Sequence, residues 1–447
     1  MGPGLKRILS LVPALASAAG MAAERFDIDG LFRLAGEAGR PESIWEFTAG
    51  DFPAEWRETG DFFWSDFRGK GFHYSCELSE ADLCFADMPL AAAEFNLSGP
   101  GGTLESITML VAADGMDFNV NADPLRVADN ISRRLDTGPA EPEVLFRSER
   151  CTLSGISWTG EWGTLYLWTV TAEPERRLLY MGMLLSPWDD APEEVLASDG
   201  AVTVRGGTDR VKLNIPPLSQ GDMNYCVPAA AARIARYYHS GVDCAMIAAL
   251  TGCRDDRGIE LGAVDRVLNG ISPVTGLECR MLYRNGDYFS YAAIADFLEA
   301  YNRKARKLGK KRFPLRRLHG MDDEEAVRFL TVGLSGLDRS VLHAMRQADG
   351  ENRERFLKLV RRKLREGTPL LWCVLSGEQD EEIAFHLRLL HGFKNNGEEY
   401  LWSDSVDVTG REHSVDGETL WDVTAFLAEL SPASSGDRLP EADHSAF

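Results

Sequence analysis

The sequence predicts an α+β protein with an antiparallel, β-rich first half and a second half of segregated helices and strands. Three observations carry that expectation. Between residues 72 and 185, apolar residues fall in short alternating or continuous runs, separated by turn signals such as Ser98-Gly99-Pro100-Gly101-Gly102. After residue 226, Ala-rich and amphipathic segments with helical spacing take over. Near the C-terminus, runs at 368–377, 385–392 and 399–404 return to strand-like patterns, and an Asn395-Asn396-Gly397 turn joins the last two. The chain of 447 residues is long enough for two or three domains, and 44% hydrophobic content supplies their cores.

The first 23 residues have the parts of a secretory signal peptide. Lys6 and Arg7 precede an apolar stretch from Ile8, and Ala16-Ser17-Ala18 fits an A-x-A cleavage site. The apolar run is too short for a membrane anchor, so we expect an exported protein without a membrane span. Residues 24–206 read as a separate β-rich α+β domain. A helix is expected around 31–38, then a segment rich in large aromatics (Trp45, Phe47, Trp56, Phe62, Phe63, Trp64, Phe67), which are most simply core. Strands are expected at 72–78, 104–111, 164–171 and 178–185. The turn-rich stretch 199–209 has the composition of a domain boundary.

The second domain, 207–430, opens with an extended lead-in at 211–217 and then reads QGDMNYCVPAAAARIARYYHSG from Gln220 to Gly241. Pro228 suits the first turn of a helix, Ala229 to Ala232 have the highest helix propensity, and Gly241 is a natural stop. Cys226 is therefore expected at a helix N-terminus. There the backbone N–H groups and the helix dipole favour negative charge on a nucleophile. Asp243 is a good N-cap for a second helix to about 251, and a third is expected at 261–268. A strand at 277–283 follows. Residues 286–367 look like a helical insertion between the cysteine segment and the C-terminal strands. Ile294, Phe297, Leu298 and Tyr301 mark one helix face, and two more helices are expected at 322–345 and 351–366. Within it, residues 303–317 carry nine Lys or Arg and no acid, a pattern that is usually a solvated face. The end of the chain, 431–447, is a polar tail.

His386 near the start of one C-terminal strand and Asp404 at the end of the next can meet if the hairpin pairs in register. His391 lies five positions from His386, and strand parity sends the two to opposite faces, so only one can face Cys226. Gln220, Cys226-Val227-Pro228-Ala229, His386 with Gly392-Phe393, and Asp404, in that order, resemble the C39-like branch of the papain-like cysteine peptidases. Members carry Gln-x5-Cys-Gly-Pro-Ala, His-x5-Gly-Tyr and a following Asp. The resemblance covers about 211–407 and is interrupted by 286–367. It implies a papain-like fold in which Cys226 is the nucleophile, His386 the general base, Asp404 the residue orienting it and Gln220 the oxyanion donor. Val227 departs from the pattern, standing where the family has glycine. A β-branched side chain there would narrow the cleft or change how the backbone N–H is presented.

What the resemblance implies is an exported thiol peptidase acting on a peptide or protein substrate, with no cofactor and no metal. Two other classes fit the same residues: a papain-like domain that binds peptide or cell-wall fragments without cutting, and an amidase or acyltransferase using the triad on a non-peptide amide. The net charge of −21 argues against nucleic acid as a partner. No pair of cysteines has CxxC spacing and no Cys/His cluster has zinc spacing. Among the eight cysteines, Cys76 with Cys84 and Cys244 with Cys253 are the sequence-local candidates for disulfides in an exported chain.

Overall fold

The computed structural model describes residues between 26 and 432, apart from internal stretches of which the longest are 53–61, 66–74, 114–122, 188–200, 327–336 and 377–383. The expected signal peptide (1–23) lies outside the described residues, as does nearly all of the expected tail (431–447). The protein is a mixed α+β structure, and pairing within its two large sheets is antiparallel.

In the first half, β1 (Phe26–Asp27) and α1 (Ile28–Leu34) precede β2 (Phe62–Ser65), β3 (Ser75–Ser79), β4 (Leu83–Phe85), β5 (Met88–Pro89), β6 (Ala92–Leu97) and β7 (Leu104–Ala113). Helix α2 (Pro124–Arg134) separates these from β8 (Glu143–Arg147), β9 (Cys151–Gly160), β10 (Gly163–Ala172) and β11 (Leu178–Ser186). Eight of the strands form one sheet in the order β2-β3-β6-β7-β11-β10-β9-β8, while β1, β4 and β5 form a small one. Helix α2 starts where Asp123 caps Leu125 N–H and Pro124 fills the first turn. Val127, Ala128 and Ile131 form its buried face. Of the expected aromatics, Phe47 is buried against Phe52, which meets Phe95 edge-on at 5.2 Å. The side chains of Trp56, Phe62, Phe63, Trp64 and Phe67 lie outside the described residues.

The second sheet contains β12 (Ala201–Arg205), β13 (Thr208–Lys212), β14 (Leu277–Arg284), β15 (Leu370–Ser376), β16 (Ala384–Lys394) and β19 (Thr424–Pro432), in the order β12-β13-β16-β15-β19-β14. Strands β17 (Glu399–Ser403) and β18 (His413–Asp416) add to β16. The stretch read as a boundary is thus a hairpin, with Val202 opposite Val211, and it belongs to this sheet. The helices are α3 (Cys226–Tyr237), α4 (Cys244–Thr251), α5 (Val264–Gly270), α6 (Ser272–Thr275), α7 (Tyr291–Lys307), α8 (Arg339–Arg346), α9 (Gly350–Arg365) and α10 (Gly417–Val423).

Within 286–367, the described helices form one layer of the core, through Ile294, Phe297, Leu298 and Tyr301 on α7 and Phe356, Val360 and Leu364 on α9. Alternation along β17 assigns the two layers to opposite faces of the sheet. Arg233 of α3 donates to Ser403 Oγ at 2.8 Å, whereas Arg361 of α9 donates to the hydroxyl of Tyr400, three residues earlier, at 3.1 Å. Gly392 has a packing reason: a Cβ there would collide with the carbonyl oxygen of Val211, because β13 closes on β16 at this residue.

The two halves meet through buried contacts. Cys151, Leu153, Val170 and Tyr180 of the first sheet join the core that holds Ile247 and Leu250 of α4. The hydroxyl of Tyr180 donates to Asp243 Oδ2 at 2.5 Å.

The expected Cys244–Cys253 disulfide is not formed. The side chain of Cys76, the expected partner of Cys84, lies outside the described residues. Helix α4 lies between Cys244 and Cys253 and separates them by about 10 Å of rise, beyond the ~7 Å that a disulfide spans. Eight intervening residues bring two cysteines close in a hairpin, not along a helix.

Candidate active site

Cys226 is the first residue of α3, as its sequence context requires, and it is half-buried. The N-cap residue Tyr225 makes no side-chain capping hydrogen bond, so the first-turn N–H groups are not consumed by a cap. Val227 is buried. At 4% exposure it belongs to the hydrophobic core, so the β-branched departure from glycine is accommodated by packing.

His386 and Asp404 are brought together by the β16–β17 hairpin. His386 is the third residue of β16, and Asp404 directly follows β17. His386 Nε2 lies 2.6 Å from Asp404 Oδ1. With Nε2 on the carboxylate, Nδ1 is the ring nitrogen left for Cys226, which is close enough to act on the imidazole's charge. Burial alone would pull the imidazole down. The hydrogen bonds to Asp404 and Cys226 and their negative charges outweigh it, and push His386 up to about 9. Burial works against the Asp404 carboxylate as well. The hydrogen bond and charge of His386, the Val406 N–H and the Arg388 guanidinium together hold Asp404 down at about 2. The two shifts agree in sign on one ion pair, with 17% and 12% of the side chains exposed.

Two residues that the sequence did not single out complete the site. Arg388 Nε donates to Asp404 Oδ2 at 3.0 Å, leaving Oδ1 to His386 and the Val406 N–H. Arg388 is itself held flat, 4.1 Å from the centre of Trp402, whose ring also stacks on His413 at 4.4 Å. Its signal was present: a residue two after His386 in a strand shares its face. Ser405, adjacent to Asp404, binds Gln220 twice. Its hydroxyl donates to Gln220 Oε1 at 2.8 Å, and its carbonyl accepts from Gln220 N–H at 2.8 Å. An amide whose oxygen is anchored in this way donates through Nε2. Gln220 thus joins the Asp404 end of the site through a serine that no spacing rule marks.

The other candidates separate cleanly. His391 sits at a bulge between Leu390 and Gly392, on the face of Arg233, and is buried. Burial drives it down to about 4, with Arg233 and Lys212 adding to the effect, so it is neutral at pH 7. Cys373 is close enough to Cys226 to feel its charge, but burial pushes its thiol well above the ordinary range, which keeps it protonated. Among the described residues, no group of three or more His, Cys, Asp or Glu is arranged to hold a metal, and no helix is long and apolar enough to cross a membrane.

Replacing Arg388 by Gln should cost about 1–2 kcal/mol of stability, for a lost charge-assisted hydrogen bond and its stacking. It should also raise the acid limb. A carboxyl depressed to about 2 stabilises the fold above pH 4, and the benefit fades as pH falls through 2. Without Arg388 that benefit should be smaller and should be exhausted at a higher pH. Urea unfolding between pH 2 and 7 measures both.

No family model matches this chain, and no curated protein matches it.

Proposed function

We propose that the protein is a cysteine peptidase with a papain-like, C39-like C-terminal domain spanning about 207–430 behind a β-rich domain at 24–206, exported by its first 23 residues. The observation that carries this reading is His386 hydrogen-bonded to Asp404 and standing near Cys226 at a helix N-terminus.

In this reading His386 takes the proton of Cys226, and the thiolate attacks the carbonyl carbon of a peptide bond. A C–S bond forms and the carbonyl oxygen becomes an oxyanion, held by the Cys226 N–H and Gln220 Nε2. When the intermediate collapses, the C–N bond breaks and the leaving amine takes the proton from His386. Water then gives a proton to His386 and attacks the thioester, and the acid departs as Cys226 regains its proton. Asp404 fixes the imidazole with Nδ1 toward the sulfur and stabilises its cationic form. Arg388 keeps Asp404 in that orientation.

The test is hydrolysis of casein and of peptidoglycan by purified wild-type protein and by Cys226→Ala. Cleavage of casein that depends on Cys226 supports the peptidase. Cleavage of peptidoglycan alone reassigns the triad to an amidase. If wild type matches Cys226→Ala on both, the catalytic reading is lost.

A further inference from the structure

Nine Lys or Arg fall between residues 303 and 317, and no Asp or Glu occurs from 300 to 321, although the chain carries 69 acids and a net charge of −21. The fold turns that run into one compact surface. Arg303, Arg306 and Lys307 stand on the side of α7 away from the buried Ile294, Leu298 and Tyr301. Gly309, at φ 66°, ends the helix in the left-handed conformation, and Lys310 N–H returns to the carbonyl of Ala305 at 2.8 Å. The chain then doubles back. Asn302 clamps it, accepting from Phe313 N–H at 2.6 Å and donating through Nδ2 to the Phe313 carbonyl at 2.8 Å. Phe313 and Leu318 are buried and anchor the return. The cations before and after Gly309 therefore share one end of α7.

A solvated charged face is the ordinary fate of such a run, but it normally mixes signs. Here eight of the nine cations are exposed. Arg303 pairs with Glu299 at 3.6 Å and Lys310 with Asp338 at 2.9 Å. The other seven have no carboxylate partner among the described residues. The helix dipole accounts for cations in the last turn of α7, but not for those after Gly309. In the midst of them Leu308 is 44% exposed, one of five large apolar side chains exposed among the described residues. That combination selects the partner. A nucleic acid or an acidic protein would use the cations and leave Leu308 in water. An anionic lipid surface uses both, since its phosphates meet the cations and Leu308 enters the acyl boundary. The negative charge of the rest of the chain repels such a surface, so the patch also fixes the orientation of approach.

We propose that the end of α7 and the loop after it form a peripheral docking site for an anionic lipid bilayer. The cations hold the protein at the headgroups, and Leu308 supplies a shallow apolar contact. No segment crosses the bilayer in this arrangement, and it stands whether or not Cys226 is catalytic.

The test is co-sedimentation of the full chain, at low salt, with vesicles of equal parts phosphatidylglycerol and phosphatidylcholine, and with vesicles of phosphatidylcholine alone. Wild type should bind the anionic vesicles and not the neutral ones. Each basic residue near an anionic leaflet strengthens binding about fivefold. The quadruple variant Lys307→Gln, Lys311→Gln, Arg312→Gln, Arg316→Gln should therefore bind at least about 100-fold more weakly. Leu308→Ser should weaken vesicle binding about fivefold and leave binding to heparin, a polyanion with no acyl phase, unchanged. All five substituted side chains are exposed, so both variants should keep the wild-type urea midpoint, and lost binding then reads as lost contact. All three proteins share residues 1–23, so their differences read the patch alone. No binding to anionic vesicles, equal binding to neutral ones, or binding that ignores the quadruple substitution would overturn the proposal. Binding to heparin or duplex DNA without binding to vesicles would overturn it too, and leave a site for a soluble polyanion.

Discussion

At pH 6.5, iodoacetamide should alkylate Cys226 about 100-fold faster in the wild-type protein than in His386→Ala. An unassisted thiol titrates near 8.5, so only about 1% of it is thiolate at pH 6.5. In the wild type, His386 is held up at about 9 and is cationic at that pH, near the sulfur. A cation in that position favours the thiolate. Asp404→Ala should give an intermediate rate, because it removes one of the two groups holding the proton on His386. The same shift has a signature in stability. A histidine raised from 6.5 to about 9 in the folded protein contributes about 3 kcal/mol in full below pH 6.5 and loses it as pH rises through 9. Urea midpoints should fall over that window in the wild type, and much less in His386→Ala. If the alkylation rates coincide at pH 6.5, Cys226 and His386 do not form a pair and the site is not catalytic.

The parts of this site that were legible in the sequence are those set by local rules. Cys226 had to begin a helix because Pro228 and four alanines follow it. Asp243 had to cap the next, and it accepts from Met246 N–H at 2.7 Å. The hairpin that joins His386 to Asp404 follows from an Asn-Asn-Gly turn, whose three residues all adopt positive φ. The illegible parts depend on what lies across the fold. Nothing local says that α7 to α9 cover the sheet face opposite α3. That follows from which residues of β17 each layer touches. The bulge at His391 has no composition signal of its own. Arg233 is 1% exposed in the middle of an alanine-rich helix, and one of its partners is Ser403, 170 residues away. Cysteine spacing misled for a similar reason, since Cys244 and Cys253 are near in sequence but lie at opposite ends of a helix.

Asp243→Ala should cost about 2–4 kcal/mol, a large effect for a single carboxylate. Asp243 does two things at once. Oδ1 caps α4 on Met246 N–H, and Oδ2 accepts from Tyr180 across the contact between the two sheets. Losing the cap is worth about 1 kcal/mol, and leaving the Tyr180 hydroxyl buried without its acceptor about 1–3 kcal/mol. Tyr180 is 1% exposed, and burial followed by the charge of Asp243 pushes its hydroxyl well above the ordinary range, so it stays a donor. Gly182 is part of the same arrangement, since a Cβ there would collide with the Tyr180 hydroxyl. Asn at 243 has a single acceptor oxygen and can serve only one of the two donors, so Asp243→Asn should cost about half as much. Tyr180→Phe separates the two roles. Alone it should destabilise by about 1–2 kcal/mol, but in the Asp243→Ala background it should restore stability, because it removes the stranded hydroxyl. Urea unfolding of the four proteins closes the cycle. Additive losses would mean that Tyr180 and Asp243 act independently, and that the two halves are held together by their shared apolar core alone.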